Sequence, residues 1–314
     1  MRHPGSTCAG SGDGDGARVR KVNRVDAPRA ATTAVQTVRE ALEAASAAGL
    51  DRLDAQLLLA HRLGRPRTWL LAHDDAPLDA QTSAAFGADC ARRADGVPLA
   101  YLTGRKEFHG LEFEVTPAVL VPRPETELLV DWALELVAAG ARGDAAPVHS
   151  VVDLGTGSGA VALALKARSP GLEVCATDRS EAALAVARAN AARLGLAVEF
   201  VAGPWWEPLA GRRFDLAVSN PPYLGAADPH LAALRHEPRS ALVAGASGLE
   251  AFDRIVAGAF AHLHDGAWLL VEHGADQAPA LHARFAAHRF VAPETRPDLA
   301  GHPRCTGARL ETST

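Results

Sequence analysis

Val151-Val152-Asp153-Leu154 is a short apolar run that ends in Gly155-Thr156-Gly157-Ser158-Gly159. This is the pattern of a buried strand feeding a helix through a turn in which only glycine lets a ligand approach the backbone closely. The chain downstream keeps alternating. A helix runs to about 168, and strand 173–177, helix 181–194 and strand 197–201 follow. Strand 214–219, helix 249–263, strand 267–272, helix 276–287 and two terminal strands complete the series. Such alternation predicts an α/β fold, a doubly wound, Rossmann-like sheet with helices on both faces.

In such sheets ligands bind at the carboxyl ends of the strands, where this glycine turn lies. Ala160 after Gly159 completes a loose GxGxxG/A pattern, and Asp178 falls at the end of the second strand, where a ribose-binding acid belongs. The glycines alone do not choose between a nicotinamide dinucleotide and S-adenosylmethionine. Asp153 separates them, because an acid just inside the strand end suits a cationic ligand and repels a pyrophosphate. S-adenosylmethionine carries a sulfonium and an ammonium and no phosphate. No hydride-transfer constellation is visible.

The apolar run 214–219 leads directly into Asn220-Pro221-Pro222-Tyr223. Neither proline can donate to a strand ladder, so the chain leaves the sheet there in a fixed extended shape. Asn220 offers a side-chain carbonyl and the Pro221 backbone offers a second rigid one, together enough to hold both hydrogens of one planar NH2 group. An amide or exocyclic base nitrogen delocalises its lone pair and attacks poorly in water. Two fixed acceptors orient it and favour the positive charge that builds during attack. Tyr223 is placed to lie against the planar group. Read in isolation, the same four residues also describe a proline-stiffened loop capped by Asn. With the glycine turn upstream they point to methyl transfer onto an NH2 group.

Residues 1–32 are Gly-, Ser- and Asp-rich and then Arg-rich, with almost no large apolar side chain, and are expected to form a disordered extension. Over 33–95, apolar residues at helical spacing, interrupted at Pro66 and Pro77, predict a small helical domain, which is either a structural cap or a substrate-docking surface for a macromolecule. Residues 96–122 form a connector with a hairpin turning near His109-Gly110. The remainder, 123–314, begins with a helix opened by Arg123-Pro124-Glu125-Thr126-Glu127 and carries the sheet. A net charge of −5 supplies no global field for nucleic acid. The four cysteines have no CxxC spacing, the histidines form no workable metal set, and no stretch reads as a signal core or membrane span. A cytoplasmic protein without metal is expected.

With these residues assembled, the chain resembles the PrmC/HemK-type protein-(glutamine-N5) methyltransferases from about residue 35 to its end. The likeness is carried by Pro98-Leu99-Ala100-Tyr101-Leu102-Thr103-Gly104, the segment 108–113, and Val121-Pro122 leading into the Arg-Pro-Glu-Thr-Glu block. The GTGSG turn, the NPPY segment, Glu237-Pro238 and Glu272-His273-Gly274 complete it. The resemblance implies a class I S-adenosylmethionine-dependent fold, with cofactor across Gly155, Thr156, Gly157, Ser158 and Gly159, its ribose on Asp178, and Trp205 and Asn220 against it. It further implies that Asn220, Pro221, Pro222 and Tyr223 hold the glutamine of a Gly-Gly-Gln loop in class I peptide chain release factors. No direct nucleic-acid substrate and no membrane are expected. Pro204 departs from the family, which commonly has an acid before this tryptophan, so adenine contact falls to the backbone and to Trp205 or Trp206. The alternatives are a ribosomal-protein glutamine, adenine N6 or guanine N2.

Overall fold

The computed structural model describes residues 36–142 and 147–311. The extension expected over 1–32 lies outside them. Three of the first four described helices start where a side chain satisfies free backbone N–H groups. Thr37 and Glu40 form a capping box on α1 (Val38–Ala47). Asp51 caps α2 (Arg52–Leu63), which Gly64 ends in the left-handed conformation. Pro66 precedes α3 (Arg67–Ala72), and Asp79 caps α4 (Ala80–Ala94). Their apolar stripes meet in a core of their own around Val38, Leu58, Leu59, Leu70 and Phe86.

A short α5 (Leu99–Thr103) leads into the hairpin of β1 (Arg105–Phe108) and β2 (Leu111–Glu114). His109 and Gly110 turn it with φ of 51° and 77°, the pair of positive values that a two-residue hairpin loop demands. The block at 123 does not open directly as α-helix. Pro124–Thr126 forms a 3₁₀ turn, and α6 (Glu127–Arg142) begins after it.

The rest is β3 (Ser150–Leu154), α7 (Ala160–Arg168), β4 (Glu173–Asp178), α8 (Glu181–Leu194), β5 (Glu199–Ala202) and β6 (Phe214–Ser219). Then come β7 (Leu224–Gly225), α9 (Arg239–Leu242), β8 (Val243–Gly245), α10 (Glu250–His262), β9 (Leu263–Glu272), α11 (Ala278–Ala287), β10 (Phe290–Pro297) and β11 (Pro303–Leu310). The seven-stranded sheet has the order β10-β11-β9-β6-β3-β4-β5. Strands β9, β6, β3, β4 and β5 run parallel, and β11 is antiparallel to both of its neighbours. Strand alternation sends Val151, Leu216 and Val218 to a core shared with α6 and α7. It sends Val152, Leu154 and Ala217 to the opposite core, under α10 and α11.

This is the expected doubly wound sheet with one addition: the terminal strands fold back as an antiparallel pair, and β11, the last, inserts beside β9. Strand β9 starts at Leu263, four residues before the expected 267, because Leu263 pairs with Phe214 across an irregularity in the ladder. The small pair β7–β8 was not anticipated, being too short for any periodicity. The chain winds from β3 through β4 to β5 and then returns to the other side of β3 to lay down β6. That reversal opens a crevice outside the carboxyl ends of β3 and β6.

Candidate active site

The crevice is walled by the turn after β3 and the segment after β6. Gly155 and Thr156 both donate backbone N–H to the Thr177 carbonyl, at 2.8 and 2.9 Å, pinning the turn to β4. Gly155, Gly157 and Gly159 have φ of 79°, 57° and 83°, a region that favours glycine. A Cβ on Gly155 would meet the Trp205 ring at 3.1 Å, so the ring packs directly against the turn. Gly159 serves helix packing instead, with Leu163 and Ala187 within 3.0 and 3.2 Å of where its Cβ would stand.

Two acids sit beneath this turn. Asp153 is buried, and its Oδ2 accepts from the Thr156 hydroxyl at 2.6 Å and from the Ala162 N–H at 3.3 Å. Burial pushes its carboxyl up to about 7, against the pull of those two donors. Asp178 accepts from the Gly157 N–H and the Ser180 N–H, both at 2.9 Å, and burial raises it above its ordinary value. Each carboxylate oxygen of Asp178 keeps lone pairs beyond these bonds, enough for a diol. Buried acids that gain from a neighbouring cation, glycine backbone and one aromatic face fit S-adenosylmethionine and suit a pyrophosphate poorly.

Opposite lies Asn220, whose Nδ2 donates to the Thr126 hydroxyl at 2.9 Å. With the amide nitrogen so engaged, Oδ1 is the atom left for the cavity. The lining includes Gly155, Thr156, Gly157, Ser158, Asp178, Trp205, Asn220 and Pro222 from the residues singled out in the sequence. Gly159, Pro221 and Tyr223 stand outside it. Tyr223 is held from behind: its carbonyl accepts from Gln277 Nε2 at 2.9 Å, and burial pushes its phenol up to about 12.

The two tryptophans separate cleanly. Trp205, at φ 50°, lines the cavity, and its carbonyl accepts from the Thr177 hydroxyl at 3.0 Å. Trp206 points away into the core, donates Nε1–H to the Ile255 carbonyl at 2.8 Å and stacks on His262. Only Trp205 is available to an adenine ring, and Pro204 lines the same wall.

Sequence reasoning missed Thr126, Ser240, Ala241 and the segment 118–120 as cavity residues. Thr126 stood in a quoted motif without a role, because nothing local shows that the 3₁₀ turn brings it to Asn220. Arg123 is also explained: it pairs with buried Glu237, whose other oxygen accepts the Val121 N–H at 3.1 Å. Among the described residues, no group of three or more His, Cys, Asp or Glu is placed to hold a metal, and no helix is long and apolar enough to cross a membrane.

The chain is similar to known proteins over most of its length. A family model for the PrmC N-terminal domain matches residues 33–104, and one for the methyltransferase small domain matches residues 136–237. A release factor glutamine methyltransferase of Burkholderia pseudomallei is 49% identical over 279 residues, covering 86% of this chain and 96% of that protein. One from Xylella fastidiosa is 47% identical, covering 86% and 97%. Among solved structures, the hMettl16 catalytic domain in complex with MAT2A 3'UTR hairpin 6 shares the fold, with a TM-score of 0.51 and 15% identity over 75% of this chain and 83% of that one.

Proposed function

This chain belongs to the release factor glutamine methyltransferase family, and from that premise we propose how its crevice performs the transfer. The protein is an S-adenosylmethionine-dependent methyltransferase acting on a release factor glutamine. When bound, S-adenosylmethionine supplies an electrophilic methyl group. Gly155, Thr156, Gly157 and Ser158 form its cradle, Asp178 takes the ribose, and Trp205 takes the adenine.

The acceptor is the side-chain nitrogen, N5, of the glutamine in a Gly-Gly-Gln loop of a class I release factor. Asn220 Oδ1 accepts one of its N–H bonds and Pro222 shapes the wall; the Pro221 carbonyl and Tyr223, which flank these two residues outside the cavity lining, are the second acceptor and the backing of the planar group once the glutamine enters. The observation that carries this reading is the Asn220 amide, whose nitrogen is committed to Thr126 and whose oxygen is thereby left for a donor. Holding the nitrogen in line supplies most of the acceleration, and no general base is required if its proton leaves after methylation has made it cationic. Helices α1–α4 are the docking surface for the release factor, and the reaction belongs to the cytoplasm.

Asn220→Ala removes the acceptor and is expected to lower kcat by about 10²-fold or more, while S-adenosylmethionine affinity changes far less. Steady-state methyl transfer together with calorimetric titration of S-adenosylmethionine separates the two effects. A variant with undiminished kcat would remove Asn220 from the chemistry.

A further inference from the structure

Asn220 works as an acceptor only if its amide keeps one of two nearly isosteric orientations. We propose that Thr126 and Glu272 are positioning residues that set this orientation, through a hydrogen-bond relay running from Glu272 to the Thr126 hydroxyl to the Asn220 amide. The inference rests on the glutamine-methylation reading above and names what prepares its acceptor.

A threonine hydroxyl has one hydrogen to give and lone pairs to receive with. Thr126 is buried, and its hydroxyl hydrogen-bonds the Glu272 carboxylate on one side and meets Asn220 Nδ2 at 2.9 Å on the other. A carboxylate can only accept, so the single hydroxyl hydrogen goes to Glu272. The Thr126 oxygen must then receive from Asn220, which turns Nδ2 inward and Oδ1 toward the cavity. The reverse orientation would set the Asn220 NH2 against the incoming NH2, donor facing donor, with no acceptor for either.

Glu272 ends β9, is 2% exposed, and its Oε2 has no hydrogen-bond partner among the described residues. A packed core keeps such a group only at a cost, so it calls for an explanation beyond stability. The charged groups facing it are Arg304 on β11, Arg123 and Glu125 before α6, with Tyr223 and Cys305 also within its field. The two arginines favour its ionised form, whereas burial and Glu125 oppose it. Burial leaves the carboxyl at about 7. Once protonated, Glu272 can donate to Thr126, whose hydroxyl hydrogen then turns to Asn220 and reverses the relay.

The test compares Thr126→Val, which keeps shape and removes the hydroxyl, with Thr126→Ser, which keeps the hydroxyl. Each is assayed beside the wild-type protein for methyl transfer to a class I release factor at saturating S-adenosylmethionine, with S-adenosylmethionine Kd and Tm measured in parallel. Thr126→Val is expected to lose about 10²-fold in kcat with Kd for S-adenosylmethionine unchanged, and Thr126→Ser to recover most of it. Glu272→Gln, which cannot ionise, is expected to lower kcat and to abolish the fall in rate below neutral pH. Wild-type kcat in Thr126→Val overturns the relay. So does a serine variant as impaired as the valine one, or a loss confined to Tm or to Kd. Absence of transfer by the wild-type protein would instead strike the glutamine-methylation reading itself.

Discussion

Asp153 gives the residue scale its clearest signature, because its carboxyl is held near neutrality by burial and not by an ion pair. Its folded value lies above the ordinary carboxylate value, so its contribution to stability is fully present below that ordinary range and is lost as pH rises through about 7. The ligand-free protein should therefore melt at lower temperature at pH 8 than at pH 5, with a flatter profile in Asp153→Asn. Binding of a cation acts in the opposite sense by favouring the ionised form. Below pH 7, affinity for S-adenosylmethionine should strengthen with pH by up to about tenfold per unit, and Asp153→Asn should remove that dependence. Titration calorimetry at pH 6, 7 and 8 measures it, and a pH-independent wild type would contradict the assignment. Asp153, the glycines and Asn220 were legible because each stands at the end of an apolar run. Thr126 was not, since 94 positions separate it from the partner that gives it a role. For Trp205 and Trp206, adjacency in sequence gave no hint that one lines the crevice and the other fills a space over Gly258.

At the scale of elements, legibility followed local chemistry. Helix α8 was read to the residue because Ser180 caps one end and Gly195 closes the other in the left-handed conformation. The His109-Gly110 turn was equally plain from composition. The position of β11 was not, because its place between β9 and β10 depends on long-range pairing. One glycine makes that placement possible. Gly307 on β11 sits under α6, where a Cβ would stand 2.4 Å from a Leu270 methyl and 2.8 Å from the Trp132 ring. Gly307→Val should overpack this layer and cost about 1–3 kcal/mol of stability, read by chemical denaturation. An unaltered midpoint would mean that α6 and the sheet can part without penalty. Asn190 plays a comparable linking role from α8. Its side chain accepts the Glu114 N–H at 2.7 Å and donates to the carbonyls of Glu114 and Ser158, both at 3.0 Å, tying the hairpin to the glycine turn.

At the scale of the whole molecule, the helices carry their own core, while the segment that follows the hairpin, from Ala118 to Thr126, delivers residues into the crevice. On the proposed reading, the chain joins a docking surface for a large partner to a site for one planar amide. That combination suits a protein substrate that must present a single side chain. The most direct test is transfer of labelled methyl from S-adenosylmethionine to a purified class I release factor, run beside the same factor with its Gly-Gly-Gln glutamine changed to alanine. Label on the first and none on the second is the predicted result. Equal label on both would place the methyl on another residue, and no label on either, with S-adenosylmethionine still bound, would contradict release factor methylation and turn attention to a ribosomal-protein glutamine or a base nitrogen.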